Sequence, residues 1–134
     1  MRIKTQKNPH DTLQEELQKE RAAVLGRAGE LLAAAIAKLQ TAEADINKRL
    51  CRIDDLMAKS AEMPADRTLI RQRQRDILEI NGEIDRYNLL REHAKLRYYY
   101  LIVTREAMGL RKHDRVREIY GIPDRKGHLR ADCG

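Results

Sequence analysis

Histidine and cysteine are the residues of this chain whose side chains most often bind metal ions. They are His10, His93, His113, His128, Cys51 and Cys133. No glutamate precedes a histidine by three residues, so the Glu-x-x-His pairs of di-iron helical bundles are absent from the sequence. The long, irregular spacing of His113, His128 and Cys133 does not resemble a zinc motif. We therefore expect no metal site, and we interpret the cysteines as reduced thiols.

The other candidates for chemistry are one serine and two pairs of adjacent carboxylates. Ser60 has no positioned base to activate it. The pairs are Glu15-Glu16 and Asp54-Asp55, and neighbouring side chains on a helix point in different directions. The GxxxxGK, GxGxxG and HExxH motifs of nucleotide and zinc sites are also missing. The sequence thus predicts a protein that is not an enzyme and uses no cofactor.

The composition indicates long helices. The chain has 134 residues, which fits one domain, and it is 36% charged. Alanine, leucine, glutamate, lysine and arginine dominate, as expected of helices and coiled coils. Phenylalanine and tryptophan are absent, so leucine, isoleucine and alanine must fill the core. This suits a narrow helical seam better than a thick globule.

Two long stretches repeat apolar residues at alternating steps of three and four, the pattern of coiled-coil helices. The first series is Leu25, Leu32, Ile36, Leu39, Ile46, Leu50, Ile53 and Met57. The second series is Ile70, Ile77, Ile80, Ile84, Tyr87, Ala94, Tyr98, Leu101 and Met108. Pro64 separates them because it removes a backbone donor. We predict a helix over 12–60, a turn over 61–66 that ends in the helix cap Asp66, and a helix over 67–112.

Two helices of similar length around a short turn predict an antiparallel hairpin over residues 11–113. Folding the chain at the turn pairs positions whose numbers add to about 127. The seam pairs are then Leu50 with Ile77, Ile46 with Ile80, Leu39 with Tyr87, Leu32 with Ala94, and Leu25 with Leu101. Arg91 and Arg105 interrupt the second seam, and Ile36 faces Arg91. The predicted fold is all-α: a long two-helix coiled-coil hairpin.

Two segments flank the hairpin. Residues 1–10 are polar and basic, and we expect a flexible arm. Residues 114–134 should form a short third helix, capped by Asp114 and ended by Gly121, and then a flexible basic tail.

The open half of the hairpin, away from the turn, carries more apolar surface than one seam can bury. Residues 98–103 are six consecutive apolar or amphipathic positions, which sweep through more than one helical turn. An uncovered patch of this kind marks an interaction site. The predicted interface residues are Val24, Leu25, Leu31, Leu32, Tyr98, Tyr99, Tyr100, Ile102 and Val103.

Three covers fit this patch: a second copy that completes a four-helix bundle, the short third helix, or a different protein. We favour the second copy, because homodimers are the commonest assemblies. Tyrosine is also enriched at interfaces.

Basic charge gathers beside the patch. The formal net charge is +6, of which residues 1–10 carry +3 and residues 104–134 carry +3. Both segments lie at the open end of an antiparallel hairpin, where they attract acidic partners. The residues predicted to make such contacts are Arg111, Lys112, Arg115 and Arg117.

These observations favour a non-enzymatic protein–protein interaction or scaffold module, of an adaptor, accessory or chaperone-like kind, that dimerises or binds another protein. The alternative is a non-specific nucleic-acid-binding accessory protein that uses the basic ends. No helix-turn-helix, zinc-finger or basic-zipper pattern is visible, so nucleic acid is less favoured. No apolar run follows the basic N-terminal residues, so no signal peptide is predicted. The longest apolar run, 31–37, is far short of a membrane span, and we expect a soluble cytoplasmic protein.

Overall fold

The computed structural model describes residues 8–130 and contains three helices. They are α1 (Pro9–Glu62), α2 (Arg67–Ala107) and α3 (Asp114–Ile119). Within residues 8–130 no strand is present, and α1 and α2 pack against each other along the hairpin. This confirms the predicted all-α class and the two long packed helices. Cys133 and most of the predicted N-terminal arm lie outside the described residues.

The first helix begins three residues before the predicted start at 12. Pro9 occupies the first turn, where its missing N–H costs no hydrogen bond. The Asn8 side chain accepts a hydrogen bond from the backbone N–H of His10 at 3.3 Å and caps the helix. Pro9, which we assigned to the flexible arm, is therefore the first residue of the helix.

The second helix begins where predicted and ends earlier. Asp66 caps it by accepting a hydrogen bond from the Thr68 backbone N–H at 2.9 Å, which confirms the predicted cap. The helix stops at Ala107 because Gly109 adopts a left-handed φ of 86°. The Leu110 N–H then reaches the Arg105 carbonyl at 3.0 Å, the bond that closes a Schellman ending.

The core is a narrow seam between the two long helices. Its buried residues are Ala35, Leu39, Ala42, Ile46, Ile53, Ile77, Ile80, Ile84, Tyr87 and Ala94. Three predicted seam pairs, Leu50 with Ile77, Ile46 with Ile80 and Leu39 with Tyr87, lie within this cluster, with Leu50 packed at its edge. Outside the seam, Arg49 Nη1 lies 2.9 Å from Glu79 Oε2, and the two residue numbers add to 128. The helices therefore pair close to the predicted register.

An extended segment, residues 121–130, follows α3, and we name it the strap. Its Ile122 and Leu129 side chains pack against the core cluster and are partly buried. We predicted a flexible basic tail here and did not predict that its side chains would pack against the core. Neither long helix, nor α3, has an apolar stretch that could cross a lipid bilayer over the described range.

Truncating one core side chain should measure how far the seam stabilises the hairpin. Ile80 is 0% exposed, and Leu78, two residues away on the same helix, is 68% exposed. Ile80→Ala should lower the free energy of unfolding by about 2–5 kcal/mol, because it removes buried methylenes and leaves a cavity. Leu78→Ala should change it by less than about 0.5 kcal/mol. Urea unfolding followed by circular dichroism checks both values, and equal losses would contradict the assigned core face.

Candidate interaction site

The short helix α3 covers part of the predicted apolar patch. Leu32 of α1, Leu101 of α2 and Val116 of α3 form a buried cluster. Partly buried side chains surround it: Leu25, Ala28, Ile36, Tyr98, Ile102 and Tyr120. The Tyr120 hydroxyl lies 3.9 Å from the position that a Cβ would take at Gly29, so the end of this side chain reaches α1 at the glycine. Four of the nine predicted interface residues thus lie within or against this cluster: Leu25, Leu32, Tyr98 and Ile102.

Arg105, one of the two residues that interrupt the α2 seam, holds the loop before α3. Its Nη2 donates to the Lys112 carbonyl at 2.9 Å, and its Nε donates to His113 Nδ1 at 3.3 Å. On the other side of the ring, His113 Nε2 lies 3.2 Å from Glu106 Oε1. The arginine and the histidine together fix the entry of α3 over the cluster.

The other five predicted interface residues are exposed. They are Val24, Leu31, Tyr99, Tyr100 and Val103. Each helix extends this set into a series of exposed aliphatic residues spaced seven apart. The series are Leu17, Val24 and Leu31 on α1, and Leu89, Leu96 and Val103 on α2. We name them the outer stripes.

Residues seven apart lie on one face of a helix, so each outer stripe is a second apolar face, and on α2 this face lies opposite the seam. A helix with two such faces can pack against two neighbours. Sequence analysis found Val24, Leu31 and Val103 but missed Leu17, Leu89 and Leu96. Their seven-residue spacing was the signal that could have identified them.

Charges border the α2 outer stripe with opposite sign on its two sides. By helical spacing, Asp85, Glu92 and Glu106 lie along one side, and Arg86 and Arg97 along the other. The three carboxylates contact His128, Lys95 and His113 respectively, yet their side chains remain 62%, 54% and 55% exposed. One edge of the stripe is therefore acidic and the other basic.

The predicted acidic-partner residues all lie at the surface beside α3. Arg111 and Lys112 are in the loop that precedes α3, and Arg115 and Arg117 are on it. Arg117 Nη2 lies 3.4 Å from Asp114 Oδ1, an exposed pair worth little in free energy. Contact of these residues with an acidic protein or a nucleic acid stays a prediction.

Two asparagines hold the strap on α2. Asn88 Nδ2 donates to the Lys126 carbonyl at 2.9 Å, and the Lys126 N–H donates back to Asn88 Oδ1 at 3.0 Å. Asn81 makes the same reciprocal pair with Leu129, at 2.9 and 2.8 Å. Sequence analysis missed both residues. Asparagine is a poor former of helix interiors, and two of them spaced by seven were the available signal.

Tyr87 lies beneath the strap. Its ring is 0% exposed, and Lys126 Nζ is 5.0 Å from the ring centroid and 3.9 Å from Glu43 Oε1. Burial, followed by the charge of Glu43, raises the pKa of Tyr87 above its ordinary 10.0. Arg91, the other seam interruption, donates from Nε to the Pro123 carbonyl at 2.6 Å.

No known family, curated protein or solved structure matches the chain. Between residues 8 and 130, no three histidine, cysteine or acidic side chains are grouped to hold a metal ion. The features that bear on function are the outer stripes, the strap, and the loop that carries Arg111 and Lys112.

Replacing the buried residue of α3 should release this helix. Val116 is 6% exposed and Ile119 is 66% exposed on the same helix. Val116→Asp places a carboxylate among apolar side chains, and a six-residue helix does not persist alone in water. Hydrogen exchange should then accelerate by at least about 10-fold at the Arg117 and Tyr120 amides. The control Ile119→Asp should leave both amides protected, and the same result in both variants would contradict the docked position of α3.

The raised pKa of Tyr87 predicts a loss of stability at alkaline pH. The unfolded phenol ionises near 10.0, and the folded one ionises only at higher pH. Stability is therefore full below 10.0 and falls as the pH rises from there through the folded pKa, because unfolding permits ionisation. Phenolate absorbance of the parent minus that of Tyr87→Phe should show one group that titrates above 10.0. A difference curve centred at or below that value would contradict the buried position of the hydroxyl.

Proposed function

We propose that the protein is a non-enzymatic scaffold module that self-associates through its outer stripes and binds other proteins in that form. The observation that supports the proposal most is the seven-residue spacing of exposed aliphatic residues on both long helices. Scattered exposed leucines are normal on a protein surface. Two heptad series in the same half of one hairpin are the pattern of helices that pack against further helices.

A second copy fits this surface better than a single partner helix does. A second hairpin carries the same outer stripes, so the α2 stripe of one copy can pack against the α2 stripe of the other. The charges also suit a second copy. When the two α2 helices run parallel, the acidic edge of one stripe lies beside the basic edge of the other. Asp85, Glu92 and Glu106 then face Arg86 and Arg97 of the other copy.

The proposal revises the predicted interface. Leu32 and its neighbours under α3 contribute to the fold of one copy, whereas Leu89 and Leu96 join the exposed tyrosines in the interface. The loop residues Arg111 and Lys112 remain at the surface of such a dimer as a basic contact for an acidic partner.

Placing a charge in the α2 outer stripe should dissociate the dimer without unfolding the hairpin. Leu96 is 47% exposed, and Met57, near the hairpin turn and outside both stripes, is 50% exposed. Leu96→Asp should raise the dimer dissociation constant by at least about 10-fold, because the carboxylate is buried in the interface. Met57→Asp should leave it unchanged. Light scattering after size exclusion, over a wide concentration range, gives the mass of each variant.

Two outcomes would contradict the proposal. One is a parent chain that stays monomeric at every concentration. The other is a Leu96→Asp variant whose dimer is as stable as that of Met57→Asp. Circular dichroism of both variants must match the parent, so that a change in mass reports association and not unfolding.

A further inference from the structure

The spacing of the two strap-binding asparagines matches an extended backbone. Asn81 and Asn88 are seven residues apart on α2, which corresponds to a rise of about 10.5 Å along the helix axis. Their partners Leu129 and Lys126 are three residues apart, and three residues of extended chain span about 10 Å. Each asparagine therefore meets one backbone unit of a chain that runs along the helix.

These contacts bind the main chain and do not depend on the bound side chain. Each carboxamide uses its oxygen and its NH₂ group to pair with the N–H and C=O of a single residue. This is what a neighbouring strand does when a peptide adds to a sheet edge. Arg91 adds a third main-chain contact, to the Pro123 carbonyl. Any extended peptide can satisfy the same groups.

Side-chain contacts add a preference at three positions. Ile122 and Leu129 pack against the core cluster, which favours aliphatic residues there. Lys126 lies over the Tyr87 ring and near Glu43, which favours a cation at that position. The groove thus suits a lysine with an aliphatic residue three positions after it and another four positions before it.

The strap can dissociate from α2 at a low cost in free energy. Between residues 121 and 130 it has no helix or strand, and most of its residues are exposed. The buried residues of the seam all belong to the two long helices. Segments with few buried contacts open at the lowest cost in free energy. Tethering gives the strap an effective concentration in the millimolar range, which keeps a weakly bound segment in place.

We propose that this face of α2, together with Glu43 of α1, is a binding groove for an extended, lysine-containing peptide of another protein, and that the strap occupies it in competition. The strap of a second copy has the same chemistry. However, it must compete with a strap tethered to its own groove, so exchange between copies is disfavoured at micromolar protein. The groove lies on a different face of α2 from the outer stripe, so this inference does not depend on self-association.

The test uses the full chain with a weakened strap and a peptide added in trans. The released variant carries Ile122→Ser, Lys126→Glu and Leu129→Ser. The probe is a fluorescent peptide with the sequence of residues 120–130, and binding is measured by fluorescence anisotropy. The released variant should bind the probe at least about 10-fold more tightly than the parent, whose own strap competes.

Matched variants identify the groove. Adding Asn88→Ala to the released variant removes both hydrogen bonds to the lysine backbone and should weaken binding by about 10-fold. Adding Asn47→Ala, an exposed asparagine on α1, should not change it. A probe with glutamate in place of the lysine should also lose about 10-fold, since it loses the Tyr87 and Glu43 contacts.

Three results would overturn the proposal. The first is a released variant that has parent-like circular dichroism but does not bind the probe. The second is equal binding by the Asn88→Ala and Asn47→Ala variants. The third is binding of the released variant to the strap of a parent molecule at concentrations where the free probe does not bind. This binding is measured in a Leu96→Asp background, so that the outer stripes do not contribute. It would assign the groove to a second copy.

Discussion

A hairpin of two helices has one shared seam, and this limit governs the rest of the structure. Each helix can bury only the stripe that faces the other, because no third layer exists along most of its length. Near the turn, charged residues such as Arg49 and Glu79 flank the seam and remain in water. In the open half, the consecutive apolar residues of α2 exceed one stripe. The chain returns over that half as α3 and then continues over the middle of the hairpin as the strap.

The two arginines that interrupt the α2 seam are two of the points where the returning chain attaches. An arginine in an apolar seam is costly unless its donors are satisfied. Arg91 donates to the Pro123 carbonyl of the strap, and Arg105 donates to the Lys112 carbonyl before α3. At both positions an arginine replaces an apolar seam residue, and its hydrogen bond holds the strap or the loop before α3. In a hairpin without α3 and the strap, these positions would favour aliphatic residues.

Local patterns predicted the hairpin because its determinants are local. The three- and four-residue steps define each seam, and Pro64 and Asp66 define the break between the helices. The early end of α2 at Gly109 was also a local signal, since glycine favours the left-handed backbone found there. We predicted a helix that continues past this glycine to residue 112.

The path of the strap was not predictable from such patterns. Its hydrogen bonds join residues 32 to 48 positions apart, such as Arg91 with Pro123 and Asn81 with Leu129. The segment has no periodicity of its own, and its position follows from side chains on another helix. The apolar excess of residues 98–103 was visible in the sequence, but its division between α3 and the outer stripe depends on where α3 folds back. That division required the structure.

Helix α2 presents three faces. Ile80 and Ile84 face α1, Asn81 and Asn88 face the strap, and Leu89 and Leu96 face outward. Consecutive residues on a helix are rotated by about 100°, so Asn88 and Leu89 point to separate surfaces. A peptide in the groove and a second copy on the stripe therefore do not compete for the same side chains. The faces meet at Asp85, which borders the acidic edge of the stripe and contacts His128 of the strap. A charge change at this carboxylate alters the contact with His128 and, in the proposed dimer, would also alter the acidic edge of the interface.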